Sequence, residues 1–195
     1  MSDLLHSKGD GPGVEAGASR RVILALGLSG LLALAGCASL SESQCRNARW
    51  GEIGLADGRA GAPLSRLADH GEACAKVGVV PDEPLWRAGR EEGLLAYCTA
   101  ASGRDVGLRG GVYAGVCPGA SDAEFRRGLG VGRQIADLQR LLASNRREQQ
   151  ALIDRLARSD VPEVERRTIR QRLLALDIDE DRLRRVLSTT ERQPL

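Results

Sequence analysis

The chain has 195 residues, a formal net charge of +2 and aromatic side chains at only 3% of positions. Charge so near balance, with arginines interleaved among acids, reads as solvated helix faces and argues against a nucleic-acid partner, which calls for a basic stripe. With so few rings a core must rest on leucine, valine and alanine, and a small domain of that kind usually needs covalent staples.

The first eighteen residues are polar and glycine-rich, and the most apolar run, Val22 to Gly36, follows Arg20 and Arg21 without a single charge. A positive segment feeding an apolar one is the build of a signal peptide. The run is too short to cross a bilayer comfortably, since a spanning helix needs roughly 20 apolar residues. It ends in Leu34-Ala35-Gly36-Cys37. That ending resembles the lipobox of bacterial lipoproteins, where two small residues admit the signal peptidase and the thiol takes a diacylglyceryl group. The resemblance implies that residues 1–36 are removed and that Cys37 carries lipid. Two or more acyl chains anchor stably at about 0.8 kcal/mol per buried CH₂. Ala38 stands where lipoproteins kept on the inner membrane often carry aspartate, which implies sorting to the outer membrane, facing the periplasm. Ser19-Arg20-Arg21-Val22-Ile23-Leu24 also partly matches the twin-arginine export motif, although paired arginines are common in ordinary signal peptides and the general secretory route is favoured.

Past Cys37 the short polar segment to residue 43 reads as a tether, followed by a cysteine-containing helical domain over 44–120 and a helical hairpin over 121–195. Cys45, Cys74, Cys98 and Cys117 are an even number in an oxidising compartment, which predicts two disulfides. No close Cys-x₂₋₄-Cys pair supports zinc, and His70 with Cys74, four apart, is a lone pair rather than a metal site. Four cysteines allow three pairings. If Cys45 opens one helix and Cys74 closes the next antiparallel one, Cys45 pairs with Cys74 and Cys98 with Cys117.

Aromatic residues followed by spaced glycines recur: Trp50 with Gly54 and Gly58, Trp86 with Gly89 and Gly93, Phe125 with Gly128 and Gly132. Glycines four apart share a helix face and let another backbone approach. The competing reading makes Gly54, Gly58 and Gly61 turn residues around Asp57-Gly58. Asp82 to Ala100 reads as a helix, capped by Asp82 with Pro84 in its first turn. Gly103 to Gly119 carries six glycines and would cost roughly 6 kcal/mol as a helix, so it reads as a loop closed by Cys98 and Cys117 and pinned by Tyr113.

Ser121 and Glu124 have the spacing of a capping box, and Ile135, Leu138, Leu142, Asn145, Gln149, Leu152 and Leu156 then mark one face of a long helix. The pattern breaks near Ser159 to Pro162, where Asp160 and Glu163 suggest a second cap, and Ile169, Leu173, Leu176, Leu183 and Leu187 resume it on a helix that should fold back antiparallel. Asn145 and Gln149 in that seam suggest a specified register or a partner helix. The fold class is therefore mainly α: a small disulfide-stapled helical domain with a glycine-rich loop, then a coiled-coil-like hairpin.

Cys45, Trp50, Gly54, Asp57-Gly58, Gly61, His70 and Cys74, then Gly89-Arg90, Gly93-Leu94, Tyr97-Cys98-Thr99, and Gly107, Gly110, Tyr113 and Gly115-Val116-Cys117-Pro118 resemble the domain of unknown function family 2799 of proteobacterial envelope lipoproteins. Trp86 stands where that family carries tyrosine, which keeps an aromatic. The resemblance implies an exported protein and supplies no catalytic residue. With one histidine after Cys37, no nucleophile elbow and no Walker-type loop, catalysis is not expected, and neither a cofactor nor a metal is. Asp177, Asp179 and Asp181 alternate like a calcium loop, but Arg182 occupies the place that needs glycine. Two functions remain: a structural or interaction lipoprotein whose hairpin docks on an envelope component, or a module that holds a cell-wall or small polar ligand in the loop Gly107–Gly115.

Overall fold

The computed structural model describes residues 39–195; the signal peptide expected at 1–36 and the lipid attachment expected at Cys37 lie outside the described residues. Among those described, the chain forms seven helices and no strand: α1 (Glu42–Arg46), α2 (Trp50–Arg59), α3 (Arg66–Ala75), α4 (Glu83–Tyr97), α5 (Ala100–Leu108), α6 (Ala120–Leu156) and α7 (Glu163–Glu191). The fold is mainly α, as the sequence implies.

Glycine decides how the first helices pack. Along α2 and α4, Gly54 lies on the Trp86 and Arg90 backbone and Gly58 on Arg90 and Gly93, while Gly89 and Gly93 receive the carbonyls of Gly51 and Leu55. Residue numbers rise together on the two helices, so α2 and α4 run parallel. The same device joins α5 to α6: Gly103 lies on Phe125, Gly107 on Leu129, Gly128 on Ala100 and Gly132 on Arg104, again parallel. Each partner carbonyl occupies the place a side chain would take, close over the opposing Cα, where weak Cα–H···O contacts add to dispersion. Gly54 and Gly58 are thus helix-face residues. Gly61 is a turn residue at φ +69°, and the Tyr97 ring covers it.

The expectation of a loop from Gly103 to Gly119 is overturned in its first half, because α5 runs through Gly103 and Gly107. Only those two glycines carry the helical cost, and close packing against α6 offsets it. Thr99 caps α5 by accepting from the Ser102 amide. The remaining glycines, Gly110, Gly111, Gly115 and Gly119, belong to the connection that returns the chain to the start of α6. Neither expected cap forms at the hairpin. Gly119 precedes α6 with φ +53°, so Ser121 lies inside the helix and donates to the Pro118 carbonyl. Asp160 is taken by the Arg158 guanidinium, leaving Pro162 at the boundary of α7 without a side-chain cap. A capping box does form at α1, where the Ser41 hydroxyl accepts from the Gln44 amide and the Gln44 side chain accepts from the Ser41 amide. The tether expected up to residue 43 is therefore part of the folded body from Ser39 onward.

Two small aromatic cores result, each holding one disulfide. Cys45 and Cys74 are bonded amid Trp50 and Trp86, and Cys98 and Cys117 amid Leu94, Tyr97, Phe125 and Leu129. The geometry offered for the first pairing is corrected: Cys45 sits in a one-turn helix of its own and Cys74 near the end of α3, with α2 between them.

At 1.5 Å per residue, α6 is about 55 Å long and α7 about 43 Å. The N-terminal half of α6 belongs to the glycine-packed body through Phe125, Gly128 and Gly132. Its remainder pairs with α7 through buried Ile135, Leu138, Leu142, Ile169 and Leu176. Asn145 donates to the Leu176 carbonyl at 3.0 Å, and this pins the register. Arg166 takes the carbonyls of Leu156, Arg158 and Val161, which closes the turn between the helices. Arg104 on α5 donates to the Glu191 carbonyl at the far end of α7.

Ion pairs flank this seam: Glu148 with Arg172, Glu165 with Arg155, and Glu180 with Arg146 and Arg184. Hydrogen bonds from Arg172, Arg155 and Arg146 respectively hold these three carboxyls below the ordinary glutamate range. Groups with depressed folded values contribute stability above their unfolded pKa of about 4.3 and lose it as pH falls through the folded value. The hairpin should accordingly loosen below about pH 4 while both disulfides persist. Circular dichroism and amide exchange along 140–185 would show this, and exchange unchanged down to pH 3 would contradict it.

Candidate functional site

Helix α2 turns Asp57 toward α3, and α3 presents His70 from its middle turn. His70 is 1% exposed, and its Nε2 lies 2.8 Å from Asp57 Oδ2. A carboxylate only accepts, so Nε2 carries the hydrogen and Nδ1 is left for the Ser39 hydroxyl, also at 2.8 Å. The indole Nε1 of fully buried Trp86 donates to the same Asp57 oxygen at 2.8 Å, and the Arg66 guanidinium stands 3.8 Å from the other. One carboxylate thus satisfies two buried ring donors from α3 and α4, which would otherwise be left unpaired at a cost of about 1–3 kcal/mol each.

An open cleft of about 600 Å³ lies over this cluster, bordered by Ser39, Gln44, Asn47, Asp57, Arg66 and His70. Serine, imidazole and carboxylate in series is the order that acyl-transfer enzymes use. Here the imidazole is shut from solvent beside Trp50, whose ring centre is 6.4 Å away, and the carboxylate is shared with Trp86. The series fastens the segment at Ser39 to α3 and α3 to α2.

Asp57→Asn tests that role. Asparagine keeps one acceptor oxygen but loses the charge that strengthens both ring hydrogen bonds. Stability should fall by about 2 kcal/mol, with the indole Nε1 proton of Trp86 shifted in the NMR spectrum. A change under about 0.5 kcal/mol would show the cluster to be incidental.

A second constellation pins the segment after α5. The Tyr113 ring stacks on Phe125 at 4.4 Å, its hydroxyl donates to Asp122 and accepts from the Cys117 amide, and Arg126 lies over its face at 4.9 Å. Burial, and then the bond to Asp122, push the Tyr113 hydroxyl up. Hydrogen bonds from Arg126 and Tyr113 hold the Asp122 carboxyl down. Tyr113 is therefore committed internally, and Gly107, expected at the start of a ligand loop, is helical and packed on α6. A hollow of about 540 Å³ beside Cys98 is lined by apolar Leu94, Leu95, Val116 and Pro118 and by polar Arg90, Glu91 and Ser121.

The other residues singled out fall as follows. Cys74 is bonded to Cys45, so His70 and Cys74 form no metal pair. Asp177, Asp179 and Asp181 all lie within helix α7. Among the described residues no cluster suited to a metal ion occurs, and no helix is long and apolar enough to cross a membrane. Sequence reasoning named Asp57 in the family pattern and in the competing turn reading without giving its side chain a role, and it read Ser39 as tether. The available signal was one acidic residue on a glycine-marked helix face ahead of the lone downstream histidine. It also missed Glu180, which is 7% exposed in the seam and serves two arginines.

Residues 49–134 match the family described as Protein of unknown function (DUF2799). The matched stretch begins just before α2 and ends two residues past Gly132, so it coincides with the two glycine-packed helix pairs. No curated protein and no solved structure matches the chain.

Proposed function

We propose, starting from that likeness to an uncharacterised family, that the chain is an exported lipoprotein of the cell envelope. In this reading Cys37 carries the lipid, the mature protein sits on the outer membrane facing the periplasm, and its role is structural or one of protein interaction rather than catalytic. Hairpin α6–α7 is the docking element, toward an envelope protein and not toward nucleic acid.

The observation that carries this reading is the hairpin's outer surface. Two helices bury only one seam, and Leu141, Ile153, Leu174, Ile178 and Val186 remain between 41% and 67% exposed along it. Apolar residues repeated along one projecting element are a feature of interaction surfaces. A ligand loop at Gly107–Gly115 is the weaker reading, since Gly107 and Tyr113 are both engaged within the fold.

Proximity labelling in intact cells tests the proposal with the double variant Leu174→Glu and Ile178→Glu, which leaves the seam intact. The variant should keep wild-type abundance and thermal stability while losing its labelled envelope neighbours. An unchanged set of neighbours would remove the hairpin as docking element. Truncation from residue 121 is unsuitable, because it would strip Phe125, Gly128 and Gly132 from the body.

A further inference from the structure

Ser39 is the first of the described residues and is already fastened to the fold. Its hydroxyl is fixed to buried His70 at 2.8 Å, Leu40 packs against the core of Cys45, Trp50, Cys74 and Trp86, and Ser41 caps α1. Only Ala38 separates Ser39 from Cys37. We infer that the Ser39–His70–Asp57 series is a latch that leaves no free tether, so that the face around the Ser39 cleft is held directly against the lipid headgroups of the membrane. This rests on the proposal that Cys37 is acylated and deepens it by naming the surface that meets the bilayer.

Two residue steps of extended chain reach about 7 Å. The polar layer on each side of a bilayer is roughly 6 Å deep. A lipid-bearing cysteine at the level of that layer therefore brings Ser39, and with it Gln44 and Asn47 on the cleft rim, into headgroup contact. The face is charge-balanced: Arg46 is paired with Glu42, Arg49 with Glu52, and Arg66 with Asp69. Anchoring here is by the lipid and the short span, and anionic lipid is not required.

The test uses the full chain, purified in its acylated form and placed in nanodiscs of phosphatidylethanolamine with or without phosphatidylglycerol. A donor dye is introduced through an unnatural amino acid at Asn47, with acceptor dye on the lipid headgroups. Wild-type protein should transfer energy strongly in both lipid mixtures. Inserting a flexible Gly/Ser segment of about ten residues between Ala38 and Ser39, whose mean span is about 17 Å, should cut the transfer at least two-fold. Ser39→Ala, which spares the buried core where His70→Ala could unfold it, should cut the transfer to an intermediate value.

Transfer unchanged by the insertion, with acyl mass present on Cys37, would overturn this inference alone. Transfer unchanged by Ser39→Ala would remove the latch. Absence of acyl mass on Cys37 would overturn the anchoring proposal and this inference with it.

Discussion

Gly128→Val should lower the melting temperature by about 10 °C, whereas Gly130→Ala, two residues along the same helix, should raise it by about 2–4 °C. A Cβ on Gly128 would stand 2.7 Å from the Ala100 carbonyl carbon and closer still to its oxygen, against backbone that has no rotamer with which to yield. The α5 and α6 axes must separate, and with them go the packing of Gly103, Gly107 and Gly132 and much of the Phe125 core. A loss of about 4 kcal/mol follows, beyond the usual 1–3 for overpacking because four glycines share one interface. At Gly130 nothing lies within 4 Å of an added Cβ, so alanine contributes only its helix propensity, about 1 kcal/mol. Thermal scans of the two variants check the pair. Equal effects of either sign would show that glycine in α6 is tolerated rather than required.

What could be read from the sequence follows the range of the interaction concerned. Helix α4 was legible because Asp82 and Pro84 mark its start within one turn, and the α6–α7 seam because its apolar spacing repeats along many turns. The glycine faces of α2, α4 and α6 were legible as faces, but their parallel partners were not, since Trp86 meets Gly54 only after α3 has carried the chain back. Helix α5 was lost to propensity alone: Gly103 and Gly107 cost helix stability locally, and their compensation lies on α6. The Ser39–His70–Asp57–Trp86 cluster was invisible for the same reason, because its members come from four separate segments and no local pattern joins them. At Ser121 and Asp160 the residue types suited caps, but nearer partners, the Pro118 carbonyl and the Arg158 guanidinium, won.

Removing the Cys45–Cys74 bridge by the double variant Cys45→Ala and Cys74→Ala should cost about 3.5 kcal/mol, and removing Cys98–Cys117 in the same way about 3 kcal/mol. The bridges close segments of 29 and 19 residues, and the chain-entropy argument makes the longer one the more stabilising. The segments neither overlap nor nest, so the two effects should nearly add to about 6–7 kcal/mol. That approaches the whole stability of a domain this size, which lies at about 5–15 kcal/mol. Locally the two losses differ. Without Cys45–Cys74, α1 is held to the body by the Ser39 hydroxyl on His70 and by Leu40 and Ala48 against the Trp50 and Trp86 core, so amides of 40–47 should exchange much faster than those of α4. Without Cys98–Cys117, the segment before α6 is still held by Tyr113 through Phe125 and Asp122, so the loosening should stay within 109–119. Urea denaturation of oxidised, reduced and variant protein, with amide exchange on each, measures both the sum and its division. A reductant that shifts the unfolding free energy by less than about 1 kcal/mol would show that the two aromatic cores stand without their staples.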